Sequence, residues 1–332
     1  MVKVRYKRRT GQIVYAITVV LVLALMALVV MPVYAAMLFL DERFEQPQHN
    51  SLDYGIESER VTLTTSDNLN LAAWRTYAAE TEEDSAVDDA EVANDTTPHG
   101  TVIILSGIQQ PSVTEFFGYA QMLSQHGWDA LLIEKRARSL SEGESIGFGF
   151  TEWKDVQAGV NYLEADSRVQ DLPIIVMGTS AGGATVLTAA GEIPRIDGVI
   201  SISGYTSFTD AYVDNIVEMR IPRIVADASR PFMNLFLDFR LGNDATQKTP
   251  LAAVKNLGER PLLLMHSTED HQVPFTHFEQ FSEAAKDAEV SLNTFTREGD
   301  WHFVCYDRYF DNPAQDTEFS QAIFEFLDQF EE

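Results

Sequence analysis

The chain has 332 residues, 45% of them apolar, which is enough for one large packed domain and too many for global disorder. Asp and Glu total 50 against 24 Lys and Arg, a formal charge of −26, and this excludes a nucleic-acid binder, whose phosphate contacts need a basic face. A lone cysteine, Cys305, excludes an internal disulfide and a Cys-rich zinc site.

Residues 1–12 carry Lys3, Arg5, Lys7, Arg8 and Arg9 with no acid among them, and residues 13–40 carry no charge. At ~1.5 Å per helical residue the apolar run spans ~30 Å of hydrocarbon, so 13–40 reads as a transmembrane signal-anchor. The basic tail stays cytoplasmic and puts the body on the non-cytoplasmic side of the cell membrane. The alternative is a secreted body released by signal cleavage at Val33-Tyr34-Ala35, with Pro32 breaking the helix. The apolar run exceeds the ~7–15 residues usual in a secretory signal, which favours the anchor.

Residues 41–56 are polar and read as a stalk; the body is 57–332. Residues 60–65 and 69–77 alternate like two strands around the turn Ser66-Asp67-Asn68. Residues 78–97 carry acids without a base or an aromatic, the composition of a disordered surface loop. Neither this loop nor the basic tail accounts for the net charge, so the body is itself anionic. From 101 onward apolar strands (101–107, 129–136, 172–178, 196–203, 261–267 and about 290–297) alternate with helices (111–127, 151–165, from Ser180, about 275–287 and 315–330). Such alternation predicts an α/β fold, a mostly parallel sheet with helices on both faces. Residues 204–258 form a short lid-like insertion. Phe232, Leu235, Phe236 and Phe239 recur there at helical spacing, the pattern of a core-facing helix or, alternatively, of an acyl-pocket wall.

The sharpest chemical signal is Gly178-Thr179-Ser180-Ala181-Gly182-Gly183, placed where an apolar strand turns into a helix. Small neighbours let the chain fold sharply, lifting the Ser180 hydroxyl above the sheet edge. The helix's free N–H groups, Ala181 among them, then face a developing oxyanion. The string alone is weak; its strand-to-helix position gives it force, against a plain reading as a Gly-rich packing turn. A serine nucleophile needs a base. Of the seven histidines, His302 follows the last strand in Gly299-Asp300-Trp301-His302 and reaches the same edge. The base needs an orienting acid, and Asp270 follows the strand 261–267; its rivals are Glu269 and Asp210. Ser180, Asp270, His302 is the chain order expected of this geometry.

With these residues in view, the sequence over about 57–331 resembles the α/β-hydrolase fold family. Residues 61–74 resemble its opening hairpin, with Asn68 where Gly is usual. Glu134-Lys135-Arg136-Ala137-Arg138-Ser139 through Ser145 is similar to its Asp-x-Arg-Gly-x-Gly-x-Ser-x-Gly segment. Glu134 replaces the acid, and Ala137 and Ser139 replace two glycines. Residues 250–274 resemble the acid-bearing segment, and residues 299–302 the Gly-x-x-His. The variety is similar to the compact dienelactone hydrolases, acyl-protein thioesterases and serine aminopeptidase-like hydrolases. The resemblance implies an oxyanion hole from the Ile108 and Ala181 N–H groups. The loop that often begins His-Gly in the family reads Ser106-Gly107-Ile108 here, and His266 is read as structural.

The expected function is therefore hydrolysis of a small or lipid-like carboxylic ester or thioester through Ser180, His302 and Asp270. It needs no metal or cofactor, and the membrane is the expected partner. A peptidase or amidase using the same triad and a catalytically dead binding module on the same fold are the alternatives.

Overall fold

The computed structural model describes residues 2–40, 48–79, 97–108, 110, 112–242 and 245–331. Most of the acidic segment and the first part of the expected stalk lie outside these residues.

The first helix, α1 (Val2–Leu40), begins in the basic tail and continues through Pro32. Pro32 therefore does not end the helix, as the cleaved-signal reading supposed. The second half of the expected stalk joins the body. The His49 N–H donates to Thr114 Oγ1 at 3.0 Å, and Ser51–Tyr54 form a 3-10 turn capped by Asn50.

An eight-stranded sheet organises the body, with spatial order β1-β2-β4-β3-β5-β6-β7-β8. β1 (Glu59–Thr64) and β2 (Asn70–Thr76) form the expected hairpin, which turns through Asn68 at φ +63°, the left-handed region that glycine usually fills. β2 runs antiparallel to its neighbour β4 (Asp129–Ile133). β3 (Thr101–Leu105), β4, β5 (Ile174–Thr179), β6 (Gly198–Ile202), β7 (Leu262–Ser267) and β8 (Leu292–Arg297) are parallel.

The central strands are continuously apolar because both faces are covered. Their side chains alternate between two cores, as a period of two requires. Ile103, Leu105, Leu131, Ile133 and Val176 join α3 (Trp153–Glu164), α4 (Ala181–Glu192) and α8 (Thr276–Asp287) on one face. Val102, Ile104, Leu132 and Met177 join α2 (Phe117–Gln125) and α9 (Thr317–Leu327) on the other. Each fully buried Leu or Ile contributes about 1.5–3 kcal/mol relative to exposure, so neither face can be left bare.

The insertion after β6 folds as α5 (Phe208–Glu218), α6 (Arg223–Leu241) and the short α7 (Pro250–Val254). A third apolar cluster lies beneath it, containing Phe148, Tyr205, Phe208, Met233, Leu237 and Ala36 of α1. The helical spacing in α6 is as expected, but its core face is different. Ala226, Ser229, Met233 and Leu237 point inward, while Leu235 and Phe239 are 70% and 85% exposed and Phe232 and Phe236 are half-buried.

Candidate active site

Ser180 sits between β5 and α4 at φ +54°, ψ −118°, a strained conformation for a residue with a Cβ. Two glycines make the turn possible. A Cβ on Gly178 would come within 2.4 Å of the Gly182 backbone, and one on Gly182 within 2.5 Å of the Leu105 carbonyl. The Ser180 N–H donates to the Ile202 carbonyl at 2.7 Å and pins the turn to β6. The Ser180 hydroxyl has no hydrogen-bond partner among the described residues, and the residue is 8% exposed.

Two backbone donors flank it. Ala181 is the first residue of α4, so its N–H has no intrahelical acceptor. The Ile108 N–H also donates to no group among the described residues. The loop carrying it lies against the nucleophile, since a Cβ on Gly107 would lie 3.2 Å from the Ser180 Cβ.

The acid and the histidine meet beyond the ends of β7 and β8. Strand-like pairing continues past both: the Thr268 N–H donates to the Arg297 carbonyl at 2.9 Å and the Glu269 N–H to the Gly299 carbonyl at 3.0 Å. Ser267 Oγ donates to the Trp301 carbonyl at 2.6 Å. Asp270 Oδ1 accepts the N–H groups of Gln272 and Val273 at 2.8 and 2.9 Å, which leaves Oδ2 for His302 Nδ1 at 2.8 Å. Burial pushes the Asp270 carboxyl up, but the His302 hydrogen bond and charge, with the Val273 N–H, outweigh it and hold the acid below its ordinary value. Asp270 is therefore ionised at neutral pH and its Oδ2 favours a proton on His302 Nδ1; in a neutral ring that tautomer leaves Nε2 as the acceptor.

The structure thus brings Asp270 and His302 together and places Ser180 on the same carboxyl edge of the sheet. No hydrogen bond joins Ser180 to His302 among the described residues, and catalytic contacts of this kind often tighten only with substrate. The rival acids are elsewhere. Asp210, in the first turn of α5, accepts from Oγ of the N-cap Ser207 at 2.6 Å and pairs with Arg230, and Glu269 is exposed. His266 is buried, donates from Nε2 to the Val273 carbonyl at 2.8 Å, and is pushed down by burial to about 4, so it stays neutral as a structural residue.

A model of the prolyl oligopeptidase family matches residues 148–330, a stretch that contains Ser180, Asp270 and His302. The chain belongs to the prolyl oligopeptidase family. The chain is 28% identical over 195 residues to the uncharacterized protein YqkD of Bacillus subtilis, covering 58% of this chain and 62% of that one. It is 26% identical to the human acylamino-acid-releasing enzyme, covering 68% of this chain but only 30% of that enzyme. The chain thus spans less than two thirds of either relative. Among solved structures, an esterase of Pyrococcus furiosus superposes with a TM-score of 0.60 at 20% identity, covering 85% of this chain and 96% of that one. The acylaminoacyl peptidase of Pyrococcus horikoshii superposes at 0.58 and 16%, covering 85% and 43%. These likenesses place this prolyl oligopeptidase-family chain in the α/β-hydrolase fold.

Sequence reasoning passed over two buried polar groups beside the site. Lys135 is 2% exposed, and its ammonium donates to the carbonyls of Ser106 and Gly107 at 2.7 and 3.1 Å. His277 is fully buried, accepts the Thr206 N–H at 3.1 Å through Nδ1 and lies 3.2 Å from Asp214, tying α5 to α8. The available signal for Lys135 was a basic pair immediately after an apolar strand, in the segment resembling the family's arginine motif. Two of that motif's replaced glycines keep the glycine conformation, Ala137 at φ +56° and Ser139 at φ +42°.

Proposed function

We propose that this serine hydrolase cleaves carboxylic esters or thioesters through an acyl-enzyme formed on Ser180. The observation that carries the reading is the ionised Asp270 holding His302 on the edge where the strained Ser180 turn stands between two N–H groups unpartnered among the described residues. His302 Nε2 takes the Ser180 proton as Oγ bonds to the acyl carbon. The carbonyl oxygen becomes an oxyanion held by the Ile108 and Ala181 N–H groups. Collapse breaks the bond to the leaving alcohol or thiol, which receives the proton from His302. Water then repeats the sequence, releasing the acid and restoring Ser180.

The surroundings support an apolar acyl group met at a lipid surface. The segment Gly11–Tyr34 of α1 is long and apolar enough to cross a bilayer. The end of α1 packs on α6, where Pro32 and Ala36 are buried. On the outer side of α6, Ile224, Leu235 and Phe239 form an exposed apolar stripe at helical spacing. We read α1 as the anchor, the basic tail as cytoplasmic, and the stripe as resting on the membrane's outer face. The human relative's name favours a second reading, cleavage of an acylated amino acid's amide bond by the same triad.

The test treats the full chain in detergent, wild type and Ser180→Ala, with a fluorophosphonate and weighs the product. An adduct on wild type alone supports Ser180 as the nucleophile; a folded but unlabelled wild type sinks the reading. Turnover of matched ester, thioester and amide substrates then separates the two readings.

A further inference from the structure

We propose that Lys135 is a positioning residue of the oxyanion hole, its ammonium fixing and polarising the peptide that presents the Ile108 N–H. This deepens the serine-hydrolase reading and rests on it.

Lys135 Nζ donates to the Gly107 carbonyl, and that carbonyl belongs to the same peptide unit as the Ile108 N–H. No peptide bond in the described chain is cis. In a planar trans peptide the C=O and N–H point in opposite directions, so holding the oxygen toward Lys135 sends the N–H the other way. A cation on the oxygen also draws electron density through the amide, which makes the N–H a stronger donor; such polarisation strengthens a hydrogen bond by about 10–30%. The second bond, to the Ser106 carbonyl, fixes the preceding peptide and resists a flip of the loop. The loop lacks the family's frequent His-Gly start, and Lys135 supplies its support from beneath.

The choice of a lysine is informative. Its charge is almost fully removed from water, and no carboxylate lies within 4 Å of Nζ among the described residues. Desolvating an ammonium is costly, and the NH2 group of a neutral amide would tie two carbonyls without that penalty. A charge is needed where the carbonyls must be polarised as well as held. The groups facing Lys135 are Glu134 and Arg138 on its own segment and Glu152 and Asp155 around the start of α3. Burial outweighs the acids among them and pushes Lys135 down to about 8.

The sign of the pH effect follows. The polarising charge is present below about pH 8 and lost as pH rises through that value, so kcat acquires an alkaline limb while KM does not. The experiment measures kcat and KM from pH 6 to 10 for wild type, Lys135→Met and Lys135→Arg, with thermal melts at each pH. In Lys135→Met, kcat falls about 10- to 100-fold with KM within about twofold, because the lost interaction strengthens only in the transition state. Its alkaline limb disappears. Lys135→Arg recovers most of kcat and also lacks the limb, because a guanidinium does not deprotonate in this range. A folded Lys135→Met with wild-type kcat, or an unchanged limb in both variants, overturns the proposal. If neither variant folds, a wild-type kcat that stays flat to pH 10 overturns it. Fluorophosphonate labelling of wild type keeps the two levels apart: an unlabelled wild type brings down the hydrolase reading, while a labelled one with an indifferent Lys135 brings down this inference alone.

Discussion

Replacing Asp270 with Asn tests the acid's role with little change of shape, and the structure fixes how the new amide must sit. The Gln272 and Val273 N–H groups both donate to Oδ1 and demand an acceptor there. The amide oxygen therefore takes that place, and the NH2 group takes the place of Oδ2, 2.8 Å from His302 Nδ1. A donor now faces Nδ1, so the ring turns to the tautomer protonated at Nε2, the nitrogen that must receive the serine proton. A mis-set tautomer of this kind lowers kcat by about 10⁴, or about 5.4 kcal/mol in the barrier. Losing a carboxylate that the fold holds below its ordinary value costs some stability at neutral pH, but the two backbone bonds survive and the variant should still fold. The assay is ester turnover beside a thermal melt of the full chain, with the fluorophosphonate labelling rate as a second readout. A folded Asp270→Asn within tenfold of wild-type kcat would refute the reasoning.

Three further outcomes are expected. Glu134 is buried, and burial pushes its carboxyl up to about 7 against the Ser112 hydroxyl and the Val113 N–H, so the folded state favours the protonated form. The cost is absent below the ordinary carboxyl value of 4.5, grows between there and about 7 and is constant above; Glu134→Gln should raise Tm at pH 9 and leave it nearly unchanged at about pH 4, and equal shifts at both would contradict this. Glu289 occupies the left-handed position after α8 at φ +56°, exposed, with the Val290 N–H bonded to the Ala285 carbonyl at 2.9 Å. Glu289→Gly should stabilise by about 0.5–1 kcal/mol, roughly 1–3 °C in a melt; a lower Tm would count against the strain argument. Phe239→Asp, at an exposed site, should leave Tm within a degree or two and lower turnover of a long-chain ester in vesicles about tenfold, with a soluble short-chain ester unaffected; equal losses on both would remove the membrane-facing role from α6.

Much of the fold and of the catalytic edge was legible because the signals were local. Runs such as Val102–Leu105 and Leu262–Met265 have both faces buried, so their hydropathy alone marks them as parallel strands. The Ser180 turn announces itself through glycines that two backbones crowd. What stayed hidden depends on contacts distant in sequence. A lysine reads as surface until the Ser106–Ile108 loop is seen to close over it. The inward face of α6 is made of Ala226, Ser229, Met233 and Leu237, weaker signals than the phenylalanines on its other sides. The segment from Gln48 looks like a tether by composition, yet His49 and Asn50 spend their polar groups on the body and on a local turn.

The docking of α1 bears on when this chain can be released. The bond between Ala35 and Ala36 is the one a signal-type cut would use, and Ala36 is fully buried in the apolar cluster beneath the insertion. A protease cuts an unfolded, accessible backbone, and here the segment is helical and its far side enclosed. For an exported chain, tethered and free forms are then products of a race between two rates. A cut made during translocation yields a free body that begins at Ala36, the residue the cluster encloses. On the proposed anchor reading, once the body has closed over that residue the clock has run out and the bond is shielded.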